Sequence, residues 1–300
     1  MKKRTVYQVD AFTKEKFKGN PAGVVLNAEG MTSGQMQLIA RELNNSETAF
    51  LFPSYGGDHD GKIRYFTPTT EVPICGHATI AALYAKAKEE QLDSCILKMK
   101  TTVGILPIEI IKQAGDYQIV MEQGRFQLYP PLDAFIAQRI LSAFGLDKTD
   151  LEEKCPIQIA STGHSKVIIG IRSRSKLNQL KPDMISLAEI SPAIQCNGYF
   201  VFTFDSISSE VLTYGRMFAP AIGIMEDPVT GNANGPLGGY LVDNGIVQHK
   251  GRYFEFVGRQ GEIMNRMGEM QVSVNIENNR TTSIQIKGNA VIVFQTEIEI

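Results

Sequence analysis

The sequence predicts an α+β fold of two pseudo-symmetric halves, each a curled, mainly antiparallel sheet or barrel around one central helix. Three observations lead there. Short apolar runs of strand length outnumber helical patterns. Each half holds one helical pattern suited to burial: residues 78–89 are apolar nearly all round at their start, and 232–242 are built of small residues. Finally, a string of residues in the first half returns in the second in the same order.

Taken in order, residues 5–12 read as a strand. Thr32 and Gln35 then form a capping box before a helix whose stripe is Met36, Ile39, Ala40 and Leu43. Strands follow at 48–52, 62–66, 95–100, 104–111 and 117–121, with the buried helix 78–89 between them. The turn-rich stretch 123–131 divides the chain into 1–122 and 123–300, and it stays open whether the last strand joins the first half. Beyond it come a helix at 132–144, strands at 157–160, 166–171, 199–204 and 210–218, the helix at 232–242, and strands at 270–274, 283–287 and 290–295.

Composition narrows the function. Thirty Lys and Arg against 32 Asp and Glu leave a net charge of -2, which gives little attraction for nucleic acid or an anionic membrane surface. No apolar run approaches the roughly 20 residues of a membrane helix, and the N-terminal residues lack the apolar core of a signal peptide. A cytoplasmic protein is expected. Cys75, Cys95, Cys155 and Cys196 are widely spaced and the four histidines form no pair, so neither a disulfide framework nor a metal site is legible. Glycine-rich nucleotide loops are missing too. No cofactor is expected.

The internal echo carries more. Glu71-Val72-Pro73-Ile74-Cys75-Gly76-His77-Ala78 aligns without gaps on Glu226-Asp227-Pro228-Val229-Thr230-Gly231-Asn232-Ala233, sharing E-x-P-x-x-G-x-A. Upstream of each stands R-x-F-x-P, at Arg64 to Pro68 and Arg216 to Pro220. Each copy reads as strand, Pro-broken loop, Gly turn and helix start. The unbonded N–H groups and dipole of a helix start suit an anion, so a small carboxylate is the expected guest. An architectural relic of duplication, binding nothing, is the alternative.

The copies differ where chemistry would lie. Cys75 aligns with Thr230, His77 with Asn232 and Val72 with Asp227. A racemase with paired thiols needs cysteine in both copies, because a threonine hydroxyl is too weak an acid or base. Glu47, at the start of an apolar strand, is the better acid-base candidate, since burial there would raise its pKa. His77, beside a helix dipole that disfavours its cation, can relay a proton or hydrogen-bond substrate. Asp227 can orient His77 or bind substrate, while Cys75 reads as a small buried filler.

Five motifs in order, Gln8-Val9-Asp10-Ala11-Phe12, Gly19-Asn20-Pro21-Ala22-Gly23, Ser46-Glu47-Thr48-Ala49-Phe50, Cys75-Gly76-His77-Ala78 and Glu226-Asp227-Pro228-Val229-Thr230-Gly231, resemble the phenazine-biosynthesis PhzF-like family. The resemblance implies a diaminopimelate-epimerase-like fold and a cofactor-independent, homodimeric isomerase. The family's founding activity isomerises trans-2,3-dihydro-3-hydroxyanthranilate, with a glutamate shuttling the proton. Carried onto this chain, it implies Glu47 as acid-base residue, His77 and Asp227 as supporting polar residues, and the turns at Gly76 and Gly231 as carboxylate anchors. Asn20, Ser46, Thr230 and Asn232, from the same motifs, join them as substrate-binding candidates. Where the family commonly has Ser-Ala after Thr-Gly, this chain has Asn232-Ala233, so the founding substrate does not carry over with the fold. A non-catalytic metabolite-binding protein and a racemase using Cys75 are the competing readings.

Overall fold

The computed structural model describes residues 3–249 and 251–300. The chain divides into two compact units, Met1–Glu122 with Lys287–Ile300, and Gln123–Ile286. In chain order the first ten elements are β1 (Lys3–Ala11), β2 (Asn20–Val25), α1 (Ser33–Leu43), β3 (Glu47–Pro53), β4 (Gly61–Phe66), β5 (Glu71–Val72), α2 (Gly76–Glu90), β6 (Cys95–Thr101), β7 (Gly104–Gln113) and β8 (Asp116–Glu122). Next come β9 (Gln127–Pro131), α3 (Ala134–Phe144), β10 (Gln158–Ser161), β11 (Lys166–Ile171), α4 (Arg174–Gln179), α5 (Met184–Ile194), β12 (Gly198–Thr203) and β13 (Thr213–Ala219). The chain ends with β14 (Ile224–Asp227), α6 (Gly231–Asp243), β15 (Tyr253–Gln260), β16 (Gly268–Glu277), β17 (Arg280–Gly288) and β18 (Ala290–Glu299).

The two units share one pairing scheme. In the first, β1 pairs antiparallel with β18 and β2, β2 runs parallel to β3, and β3 is antiparallel to β4. There β4 carries β5 antiparallel and β6 parallel, and β7 follows β6 antiparallel. In the second, β10 pairs antiparallel with β9 and β11, β11 runs parallel to β12, and β12 is antiparallel to β13. Again β13 carries β14 antiparallel and β15 parallel, and β16 follows β15 antiparallel. The sequence echo therefore marks a repeated topology. Residues 287–300 group with the first unit because β18 lies along β1 there.

Each unit curls around its own helix. Strands β1, β2, β3, β7, β8 and β18 all touch α2, and ten of its residues, from His77 to Ala87, are buried. Around α6 stand the strands β9, β10, β11, β15 and β16, whose approach its small residues permit. A Cβ on Gly239 would lie 2.5 Å from the Phe126 ring. The expected capping box at Thr32 and Gln35 starts α1, whose Met36, Ile39 and Ala40 are buried against Val6, Val25, Phe50 and Phe66. In the second unit α3 and α5 lay Ile140, Phe144, Leu187 and Ile190 on Val167, Ile169, Tyr199 and Phe218. No helix among the described residues is long and apolar enough to cross a membrane.

The echoed arginine and glutamate form the same device twice. Arg64 donates to both carboxylate oxygens of Glu71, at 2.7 and 2.6 Å, and Arg216 to both of Glu226, each at 2.8 Å. Each guanidinium also lies over the phenylalanine of its own motif, Phe66 at 5.1 Å and Phe218 at 5.0 Å. These forks fix the short strand that delivers the chain into the central helix. Arg64 holds the Glu71 carboxyl below the usual carboxylate range, so this contribution is present at neutral pH and lost as pH falls through that lowered value.

The copies differ in burial, with side-chain exposures of 18% and 34% for Arg64 and Glu71 but 7% and 17% for Arg216 and Glu226. Glu226→Ala is expected to cost roughly 3–5 kcal/mol by stranding a buried charge, and Glu71→Ala ~1 kcal/mol or less. Urea unfolding measures both, and equal losses would contradict the burial argument. Gly239→Ala is expected to lose ~1–3 kcal/mol through overpacking, although alanine is the better helix former; a stabilised variant would show that the Phe126 ring moves aside freely.

Candidate active site

The first unit assembles its cluster from a strand start and a helix start. Asn44 closes α1 in a left-handed conformation, and Asn45 exchanges two side-chain hydrogen bonds with Gln8, at 3.0 and 2.8 Å. That pins the loop from which Ser46 and Glu47 lead into β3. Nearby, Pro73 and Cys75 bring the chain into α2, which has no side-chain cap. The N–H groups of its first turn therefore lack an intrahelical partner, and a side chain on Gly76 would meet nothing within 4 Å. The Cys75 carbonyl is tied down by the Thr79 N–H at 3.0 Å and the Thr79 hydroxyl at 2.7 Å.

Three groups converge on the His77 ring. Glu47 Oε2 stands 3.3 Å from Nε2, Ser46 Oγ also 3.3 Å from Nε2, and Cys75 Sγ 3.4 Å from Nδ1. With its proton on Nε2, the imidazole faces the carboxylate and the serine, and Nδ1 accepts from the thiol. The carboxylate contact is close but not a directed hydrogen bond: Glu47 Oε2 is buried and accepts none from the described residues. Cys75, expected as filler, is buried yet touches the ring. Glu47, Cys75 and His77 also present oxygen, sulfur and nitrogen within 4.8 Å of one another, a donor set a transition metal such as zinc would accept.

Asn20, at the start of β2, is only 1% exposed. Gly19 before it has φ +60°, and a Cβ there would lie 2.1 Å from the Ala11 carbonyl oxygen, so only glycine delivers Asn20 to that place.

The second unit gathers Asp227, Thr230, Gly231 and Asn232 around the start of α6. The Thr230 hydroxyl donates to Asp227 Oδ2, and Gln260 Nε2 reaches both the Asp227 carbonyl at 2.7 Å and the Thr230 hydroxyl at 3.1 Å. Gln260 Oε1 accepts from the Thr230 N–H at 3.2 Å and from Asn234 Nδ2 at 3.1 Å. The Gly231 carbonyl accepts from Gln123 Nε2 at 2.9 Å. This helix start is not a copy of the first, because Asn232 departs from helical geometry with φ -80° and ψ 18°.

Sequence reasoning passes over Gln123, Gln260 and Lys166. The glutamines carry no signal, since a polar amide reads as surface. Lys166, only 6% exposed at the start of β11, also reads as a solvated strand end. Extending the echo upstream would have reached it, because Gly163 stands to Lys166 as Gly19 stands to Ala22.

Comparison with known proteins shows which family the chain belongs to. The pattern of the phenazine biosynthesis-like proteins, PhzC-PhzF, matches residues 9–296. An uncharacterised isomerase of Clostridium acetobutylicum is 51% identical, with 99% of each chain covered. The trans-2,3-dihydro-3-hydroxyanthranilate isomerase of Pseudomonas aeruginosa is 30% identical over 94% of each chain. A Bacillus anthracis PhzF-family crystal structure superposes with a TM-score of 0.89 at 32% identity, covering all of both chains. The fold expected from the five motifs is thus the observed one, and the chain belongs to the phenazine biosynthesis-like protein family, as an isomerase of the PhzF type.

Proposed function

We propose that the protein moves a proton on a small carboxylate-bearing metabolite without a cofactor, with Glu47 as general acid and base. The observation that carries this reading is the buried Glu47 Oε2, which accepts no hydrogen bond yet stands 3.3 Å from His77 Nε2 beside the uncapped start of α2. A carboxylate oxygen left bare at such a place keeps its lone pairs for a substrate proton.

The steps follow from the side chains. The first-turn N–H groups at Gly76 and His77, which have no side-chain cap, take the substrate carboxylate, whose charge they offset, making the proton on the adjoining carbon easier to remove. Glu47 accepts that proton, and His77 and Ser46 steady the carboxyl in its new state. Glu47 then returns the proton to a second carbon of the delocalised anion, so the double bond shifts and the acid is regenerated. Asn20 adds an amide for polar substrate groups, and the roles proposed for Asp227, Thr230, Gly231 and Asn232 are the same kind of polar recognition. Asn232, bulkier than serine and offering amide donors, favours a substrate other than that of the Pseudomonas relative. A cytoplasmic homodimer is the working form this reading assumes.

Glu47→Gln preserves the shape and removes the base. It is expected to lower kcat/KM roughly 10²–10⁴-fold with an unchanged circular dichroism spectrum. The assay is deuterium uptake from heavy water across a panel of carboxylates that includes trans-2,3-dihydro-3-hydroxyanthranilate, and undiminished uptake would end the proposed role. A binding-only protein would exchange no proton with any of them.

Cys75→Ala separates this from thiol chemistry. The same deuterium assay is expected to retain activity within a few fold, whereas a loss as deep as that of Glu47→Gln would restore the cysteine-based racemase.

A further inference from the structure

Strand register fixes which residue of the second unit stands where Glu47 stands in the first. Glu47 pairs with Ala22 across the parallel β2–β3 pair, and the next residue, Thr48, pairs with Phe66 of the R-x-F-x-P motif. Gly198 pairs with Lys166 across the parallel β11–β12 pair, and the next residue, Tyr199, pairs with Phe218 of the second R-x-F-x-P motif. Gly19 and Gly163, both at positive φ, precede Ala22 and Lys166 by the same interval. Three independent alignments therefore agree that Gly198 holds the acid's position and Lys166 that of Ala22.

The lysine occupies the room this exchange leaves. A Cβ on Gly198 would lie 2.3 Å from Lys166 Cδ, 2.7 Å from Cε and 3.2 Å from Nζ, so the arm crosses the bare glycine. The residue is 6% exposed, and among the described residues its ammonium donates to the carbonyls of His164 at 3.5 Å and Ser165 at 3.3 Å. Among the described residues no carboxylate is in ion-pair contact with it. A cation so placed costs stability that an apolar side chain would not. Three titratable groups bear on it. Asp227, from β14, attracts the ammonium, the Cys196 thiol is pushed up by burial and stays neutral, and His164 is held down by burial and by the lysine itself. Burial pulls Lys166 down to about 8.

We propose that Lys166 is an anion-binding residue of the second unit, whose ammonium receives a small carboxylate at that unit's counterpart of the Glu47 position. This rests on the reading of the protein as acting on a carboxylate-bearing metabolite, and adds the cation that reading lacks.

Thermal shift and titration calorimetry with benzoate, anthranilate, succinate and pyruvate, against neutral benzamide, test it. At pH 7 the intact protein is expected to be stabilised by at least one carboxylate and not by benzamide. Lys166→Met, whose chain still covers Gly198, is expected to bind that carboxylate at least tenfold more weakly, and Lys166→Arg to keep most of the affinity. Gly198→Ala, which displaces the arm without touching its charge, should weaken binding as well and serves if the methionine variant does not fold. Binding should fade as pH rises through about 8, where an ordinary lysine would hold its proton past pH 10. Failure of every carboxylate to stabilise the intact protein, or equal binding by Lys166→Met, overturns the proposal. Glu47→Gln keeps this binding while losing turnover, so the two readings fail separately.

Discussion

The arginine–glutamate fork is the contact on which the rest of this architecture depends. The first turn of each central helix is buried, at His77 to Thr79 and at Gly231 to Asn234 apart from Asn232, and the chain must reach that turn through a loop too short to have its own core. Arg64 with Glu71 and Arg216 with Glu226 solve this by clamping the strand before each loop to its neighbour in the sheet. Planar, bidentate geometry fixes direction as well as distance. Everything downstream, from Cys75 to His77 and from Thr230 to Asn232, inherits its position from that fork.

A frame repeated this closely separates structure from chemistry. The residues shared by the two copies, Arg, Phe, Pro, Glu, Gly and Ala, shape the turn and the helix start. Apart from the fork itself, the groups that can ionise or hydrogen-bond differ between the copies: Cys75 against Thr230, His77 against Asn232, Glu47 against Gly198 and Ala22 against Lys166. Backbone geometry constrains the first set in both units, while only function distinguishes the second. Buried groups of low intrinsic stability value, such as the Lys166 ammonium, fall in the second set.

Much of this was legible in the sequence because local physics spoke plainly. The capping box at Thr32, the all-round apolar face of α2 and the short strands of both units follow from patterns within a dozen residues. Strand β2 was not, because Asn20-Pro21-Ala22-Gly23 spells a turn, and only its parallel pairing with β3 draws it straight. Helix α5 was hidden by Pro192 near its end, and β15 by the glycine and arginine within it. At the site, the echo located both helix starts, but the convergence of Glu47, Ser46 and Cys75 on one imidazole is a product of tertiary folding between a strand and a helix far apart in sequence. Lys166 gives no signal of its own, because a lysine at a strand end is ordinarily solvated. The exception arises because Gly198 has no side chain to compete for the space.

The asymmetry also bears on which isomerisation this frame suits. Inverting a stereocentre by proton exchange needs an acid on one face of the carbon and a base on the other, two matched groups of comparable strength. Duplication would supply such a pair directly if both copies kept the same ionisable residue at corresponding positions. Outside the arginine–glutamate forks, whose charges are spent on each other, the site positions keep none: the thiol aligns with a threonine, the imidazole with an amide, and the carboxylate with a glycine. If Glu47 is the acid-base group, as proposed, the proton leaves and returns on the same side, and the change of bonding comes from returning it to a different carbon.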